Sequence, residues 1–174
     1  MKMKSSSKKR TSKTVRPSDR RDKSLRDHLL YLLKGGGAHI SFDDAMGDWT
    51  FKLAGLKVAN FPHTAWMLVE HMRLAQWDIL DFSRDSKHVS PPWPERYWPQ
   101  SATPPDEKAW AASMSAFKRD LRTMERLVSD RRVDLYAPIP WGDGQTILRE
   151  ALLLADHNAY HLGQLVMLRK SIGR

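Results

Sequence analysis

Two histidines, His157 and His161, stand four residues apart in the apolar run "LLLADHNAYHLGQLVML" at 152–168. In an α-helix a four-residue step brings both rings out on one face, about 40° apart. Two imidazoles on one helical face can begin a divalent-metal site, which needs at least a third ligand from elsewhere. The plainer alternative is a pair of core histidines satisfied by backbone and neighbours, because H-x-x-x-H is short and common. Polar Asp156, Asn158 and Gln164 weigh toward a site, whereas Leu153, Gly163 and Leu168 argue for a packed helix. Imidazole suits Zn, Ni, Cu or Fe(II), so ligand type alone does not name the metal. The chain has no cysteine, which excludes thiolate ligands, Cys nucleophiles and disulfides.

Five other histidines could complete the set. His71 falls mid-helix beside Leu68, Met72 and Ala75, on the side expected to face the interior. His63 falls in the first turn of the same helix, about 80° around the axis from His71 and roughly two turns away. His28 is flanked by charges on the first helix. His39 follows three glycines and closes a turn, and His88 reads as exposed in a proline-rich loop.

The elements that must position these side chains read as helices. "SLRDHLLYLLK" (24–34) carries Leu25, Leu29, Leu32 and Leu33 at helical spacing, and the glycines at 35–37 stop it. Ser41 suits the N-cap of a short turn over "SFDDAM", and 47–60 reads as irregular. A second long helix starts near Pro62, with Ala65, Leu68, Met72, Ala75 and Ile79 on one stripe. A third, capped by Thr103, carries Trp110, Met114, Phe117, Leu121, Met124 and Leu127. The last runs from about Gln145 to Ser171. No strand-like alternation appears, so the fold class is all-α, a four-helix bundle with antiparallel helices as the simplest arrangement. Between the second and third helices, residues 88–105 hold six of the ten prolines together with Trp93, Tyr97 and Trp98. Such a segment cannot be regular helix, and its aromatics suit a lid or interface arm.

The net charge of +9 is unevenly placed. Residues 1–23 hold ten Lys/Arg against two Asp/Glu, and residues 24–174 hold nineteen against eighteen. The reading is therefore a disordered basic tail over 1–23 and one nearly neutral domain over 24–174. The tail has no apolar stretch of the kind a secretory signal needs, and no segment approaches a membrane span. A cytoplasmic protein is the expectation. Nucleic-acid contact is expected only through the tail.

"PHTAWMLVEHMRLAQWDILDFS" followed at a distance by "DHNAYHLGQLVMLRKSIG" resembles the DinB/YfiT-like superfamily, and the "GGGAH" and "SPPWPERYWP" stretches look similar to one bacterial branch of it. The resemblance covers residues 24–173. It implies a four-helix bundle with up-down-down-up connectivity, the 88–105 segment serving as the long crossover, and often a homodimer. It also implies a three-histidine site whose matching positions are His71, His157 and His161, holding a divalent metal, mostly Zn or Ni. Their nitrogens should then converge within about 3–5 Å of one another. Some members use a low-molecular-weight thiol as transferases or isomerases. Trp93, Tyr97 and Trp98 are expected to wall the site, and Asp156, Glu70 and Gln164 are expected as supporting or base groups. The catalytic residues and the substrate stay open. Three classes follow: a metal-dependent hydrolase or thiol-dependent transferase, a non-catalytic metal-binding bundle with a stress-related or structural role, and a nucleic-acid protein acting through its tail.

Overall fold

Gly35 and Gly36 take φ of 64° and 79°, the left-handed region that a Cβ resists, and there the first helix ends. In the computed structural model, which describes residues 17–173, this helix α1 runs Pro17–Lys34. It begins seven residues ahead of Ser24, so the boundary expected at 23/24 moves toward the N-terminus. The reason is local. Asp19 sits in the first turn, and Asp22 pairs with Arg26 four residues on, both favourable to a helix. The rest of the expected tail, residues 1–16, lies outside the described residues.

Ser41 caps α2 (Phe42–Met46) as expected, its hydroxyl accepting from the Asp44 backbone N–H at 3.2 Å. A single further turn, α3 (Phe51–Ala54), lies within the stretch read as irregular. The next long helix, α4 (Ala65–Arg84), starts after Pro62 and His63, because Thr64 is the residue whose hydroxyl accepts from the Met67 N–H. Similarly α5 (Glu107–Ser129) is capped by Asp106, three residues beyond Thr103, and α6 (Ile147–Ser171) by Thr146. In each case a side-chain oxygen satisfies a backbone donor that the first turn leaves orphaned. No strand occurs among the described residues, only an isolated bridge between Pro138 and Thr146.

The four long helices pack as a bundle in which α1 and α4 each contact both α5 and α6. Cross-links give their directions. From α4 to α5, Trp66 faces Trp110, Glu70 accepts from Ser113, and Gln76 donates to the Phe117 carbonyl. Both numbers rise together, so α4 and α5 run parallel. Two parallel neighbours need a connection as long as the bundle, and residues 85–106 supply it, with one 3-10 turn at Glu95–Tyr97. Between α4 and α6 the order reverses: Leu68 shares a pocket with Met167, whereas Gln76 bonds Asn158.

The core has two apolar clusters. One gathers Phe42, Trp66, Met72, Phe117 and Leu165, the other Leu29, Leu80, Met124, Leu135 and Leu154. Along α4 and α6 a buried polar layer separates them. Gln76 donates to the Phe117 carbonyl at 2.6 Å and accepts from Asn158 at 3.1 Å, joining three helices. The histidines of α6 flank this layer.

Candidate metal centre

The structure brings His71 of α4 together with His157 and His161 of α6. One ring nitrogen from each lies within 4.8 Å of the other two. His71 and His161 are 2 % and 5 % exposed, and His157 is half-buried. The helices explain the meeting. His71 sits between Leu68, Met72 and Ala75 on the buried stripe of α4, and antiparallel α6 presents its pair to that stripe. Leu153 and Gly163, expected to be packed, are exposed.

Hydrogen bonds fix which nitrogens are available. The Tyr97 backbone carbonyl lies 2.8 Å from His71 Nδ1. A carbonyl only accepts, so Nδ1 carries the hydrogen and Nε2 of the neutral ring is a bare lone pair. The side-chain carbonyl of Gln164 makes the same arrangement with His161 Nδ1, also at 2.8 Å, which leaves Nε2 of His161 bare. His157 Nε2 faces His71 Nε2 at 3.1 Å. Two nitrogens so placed need a cation or a shared proton between them. Two donors on one tetrahedral zinc, at about 2.0–2.1 Å each, stand about 3.3 Å apart. The spacing fits. His157 Nδ1 is buried and has no hydrogen-bond partner.

Electrostatics keep all three rings neutral. Burial, the largest cause, holds His71 down to about 4, helped by His161 and His63 and opposed by the Tyr97 carbonyl. Burial likewise brings His157 to about 4, with His161 and His71 adding to it. The proton affinity of His161 is lowered by the same desolvation. A neutral imidazole is the form that can ligate a metal.

The proline-rich segment walls the site. Trp98 stacks on His71 with centroids 3.9 Å apart and planes 3° from parallel. Tyr97 contributes its carbonyl, and the Trp93 ring lies 6.3 Å from His71 while remaining mostly exposed. His63 lies before the cap of α4 rather than in its first turn, and stacks on Trp98 at 4.3 Å. It does not join the cluster of three. Of the supporting groups expected, only Gln164 touches the imidazoles. Glu70 is committed to Arg73 and Ser113, and Asp156 is exposed. His28 and His39 are exposed, the latter bonded to the Ile40 carbonyl. His88 is not exposed: its side chain is 7 % accessible and bonds Asp78 at 2.7 Å.

That last pair belongs to a network the sequence reading missed. Asp78 accepts from the Tyr97 hydroxyl at 2.6 Å and from His88. It thereby ties down the residue whose carbonyl orients His71. A signal existed, since Asp78 lies seven residues after His71 and hence on nearly the same face of α4. Buried carboxylate–hydroxyl pairs of this kind orient ligands through the residues between them. No protein-family model, curated protein or solved structure matches the chain.

Proposed function

We propose that the chain is a DinB-like divalent-metal protein in which His71, His157 and His161 hold zinc or nickel. In this reading it is a metal-dependent hydrolase or a thiol-dependent transferase. One observation carries it: three neutral imidazoles converge, two buried and one half-buried, and two of them have Nδ1 tied away so that Nε2 carries the lone pair. The parallel α4–α5 pair with its long crossover supports the same family reading, because that order is the up-down-down-up connectivity the resemblance implies.

A divalent ion bound by three nitrogens keeps open positions and serves there as a Lewis acid toward water, a carbonyl or a thiol. The chain's own part is to aim and shelter. Tyr97 and Gln164 fix two tautomers, and Trp98 covers one face of His71. A second reading, a metal-binding bundle without turnover, is favoured by one observation. Among the described residues no carboxylate bonds to any of the three imidazoles, so a ready general base is not at hand.

The purified protein should carry about one divalent ion per chain, the stoichiometry of one three-His site. Elemental analysis checks it. The double substitution His157→Ala and His161→Ala should abolish the metal, and retention of metal by that variant would sink the assignment. A screen of low-molecular-weight thiols and esters on the loaded protein then separates the readings, turnover selecting the enzyme.

A further inference from the structure

Gly163 stands inside α6, where glycine is less favourable than alanine because it surrenders more backbone freedom on folding. A helical glycine often makes room for a close neighbour. None is present here: a Cβ at Gly163 would meet no atom within 4 Å. Gly163 faces a cavity of about 540 Å³, within the range of small-molecule sites, roughly 300–1,000 Å³.

Phe61, Leu68 and Met167 make its walls apolar, while His63, Tyr160 and Gln164 supply polar groups. Among the described residues, none that lines it is Lys, Arg, Asp or Glu. No side chain of opposite charge would meet a carboxylate or phosphate there. The cavity adjoins the imidazoles at three points. Gln164 both lines it and holds His161. The Tyr160 ring lies 4.9 Å from that of His161. His63 lies close enough to lower the proton affinity of both His71 and His161.

His63 itself is unsatisfied. Its Nδ1 is buried and has no hydrogen-bond partner, a condition that calls for an explanation in a folded protein. Nothing on the protein fixes its tautomer, unlike those of His71 and His161. Either tautomer is therefore open to the ring, and its Nε2 can present a lone pair or an N–H to a molecule in the cavity.

We infer that this cavity binds a neutral small molecule with an apolar body and one polar group that hydrogen-bonds His63, and that it is the substrate pocket of the three-histidine centre. The second half rests on the metal reading, and the first does not. Methyl 2-naphthoate and the 2-naphthoate anion are matched probes, alike in body and different in charge. Equilibrium dialysis against the full-length protein should show the ester binding at least about ten-fold more tightly than the anion. Gly163→Leu should weaken ester binding at least about ten-fold by placing four carbons in the cavity, with unchanged metal content, because the first of them meets no atom within 4 Å. His63→Phe should keep the stack on Trp98 and weaken ester binding by about ten-fold.

Equal or tighter binding of the anion would overturn the inference, as would the failure of the parent to bind the ester saturably. Unchanged binding by Gly163→Leu would also overturn it. So would the finding, by sedimentation, that Gly163→Leu turns a dimer into a monomer while the parent does not bind the ester, since a second copy would then be the occupant. If the parent carries no metal yet binds the ester, and Gly163→Leu binds it more weakly, the pocket stands and the metal reading falls.

Discussion

A lone pair serves a metal only when it is aimed, and aiming is done by the nitrogen that does not bind. His161 depends for this on the Gln164 side chain. Gln164→Leu keeps the volume and removes the acceptor, leaving a buried N–H unpaired and the tautomer free. Metal affinity should fall about 10- to 100-fold, the usual effect of losing such a partner. Competition with a chelator measures it, and an unchanged affinity would show that His161 is oriented by packing alone. The same rings set a pH dependence. His71 and His157 are held at about 4, chiefly by burial, against an ordinary value of 6.5. Below 6.5 the unfolded chain takes up protons that the folded chain refuses, so each proton favours unfolding. Their contribution to stability is whole above 6.5 and is lost as pH falls toward 4. The melting temperature of metal-free protein should decline across that window, and a flat profile would contradict buried neutral rings.

At the level of elements, one polar residue fastens α1 to the bundle beside the packing of Leu29 and Leu33. Arg26 is 6 % exposed and donates to the carbonyls of Val128 and Asp130 at the C-terminal end of α5 and of Val133 in the turn beyond it. Those carbonyls have no partner within the helix, and a guanidinium satisfies several at once. Arg26→Ala should lower stability by about 2–3 kcal/mol, the scale of charged hydrogen bonds lost from a buried site. Denaturant unfolding measures it, and a loss below about 0.5 kcal/mol would mean that water replaces the side chain at little cost. Arg26 also shows what the sequence concealed. It looks like one more charge in a basic stretch, and only tertiary packing 102 residues away gives it a role. The stripes of α4 and α5 were legible because burial repeats with the helical period. The His157–His161 pair was legible because its geometry is local. The starts of α4, α5 and α6 were misread by two to three residues, since Pro62 and Thr103 suit a first turn as well as Thr64 and Asp106 do, and only the backbone path chooses. The Tyr97 carbonyl had no signature, because every residue has one.

Across the whole molecule, charge is unevenly placed. Residues 1–16 hold seven Lys/Arg and no Asp/Glu, whereas the remaining chain holds 22 against 20. A nearly balanced surface offers little attraction to a phosphate backbone, and a run of seven cations offers a great deal. Any affinity of the protein for RNA or DNA should therefore vanish when residues 1–16 are removed, and before removal it should fall steeply with added salt. The position of the cut matters. Residues 1–16 contain only Met1, Met3 and Val15 as apolar side chains, too few to bury much surface, so that deletion should leave melting temperature and metal content unchanged. Extending the deletion to residue 22 removes the first turns of α1 and Asp22, the carboxylate that pairs with Arg26. The longer deletion should melt at a lower temperature than the shorter one while holding the same metal, because the three histidines lie on α4 and α6. Calorimetry and elemental analysis of the two truncated chains test this together. Equal melting temperatures would show that the extended start of α1 adds nothing to the fold. Nucleic-acid binding that survives both cuts would place the contact on the bundle itself, against the balance of its charges.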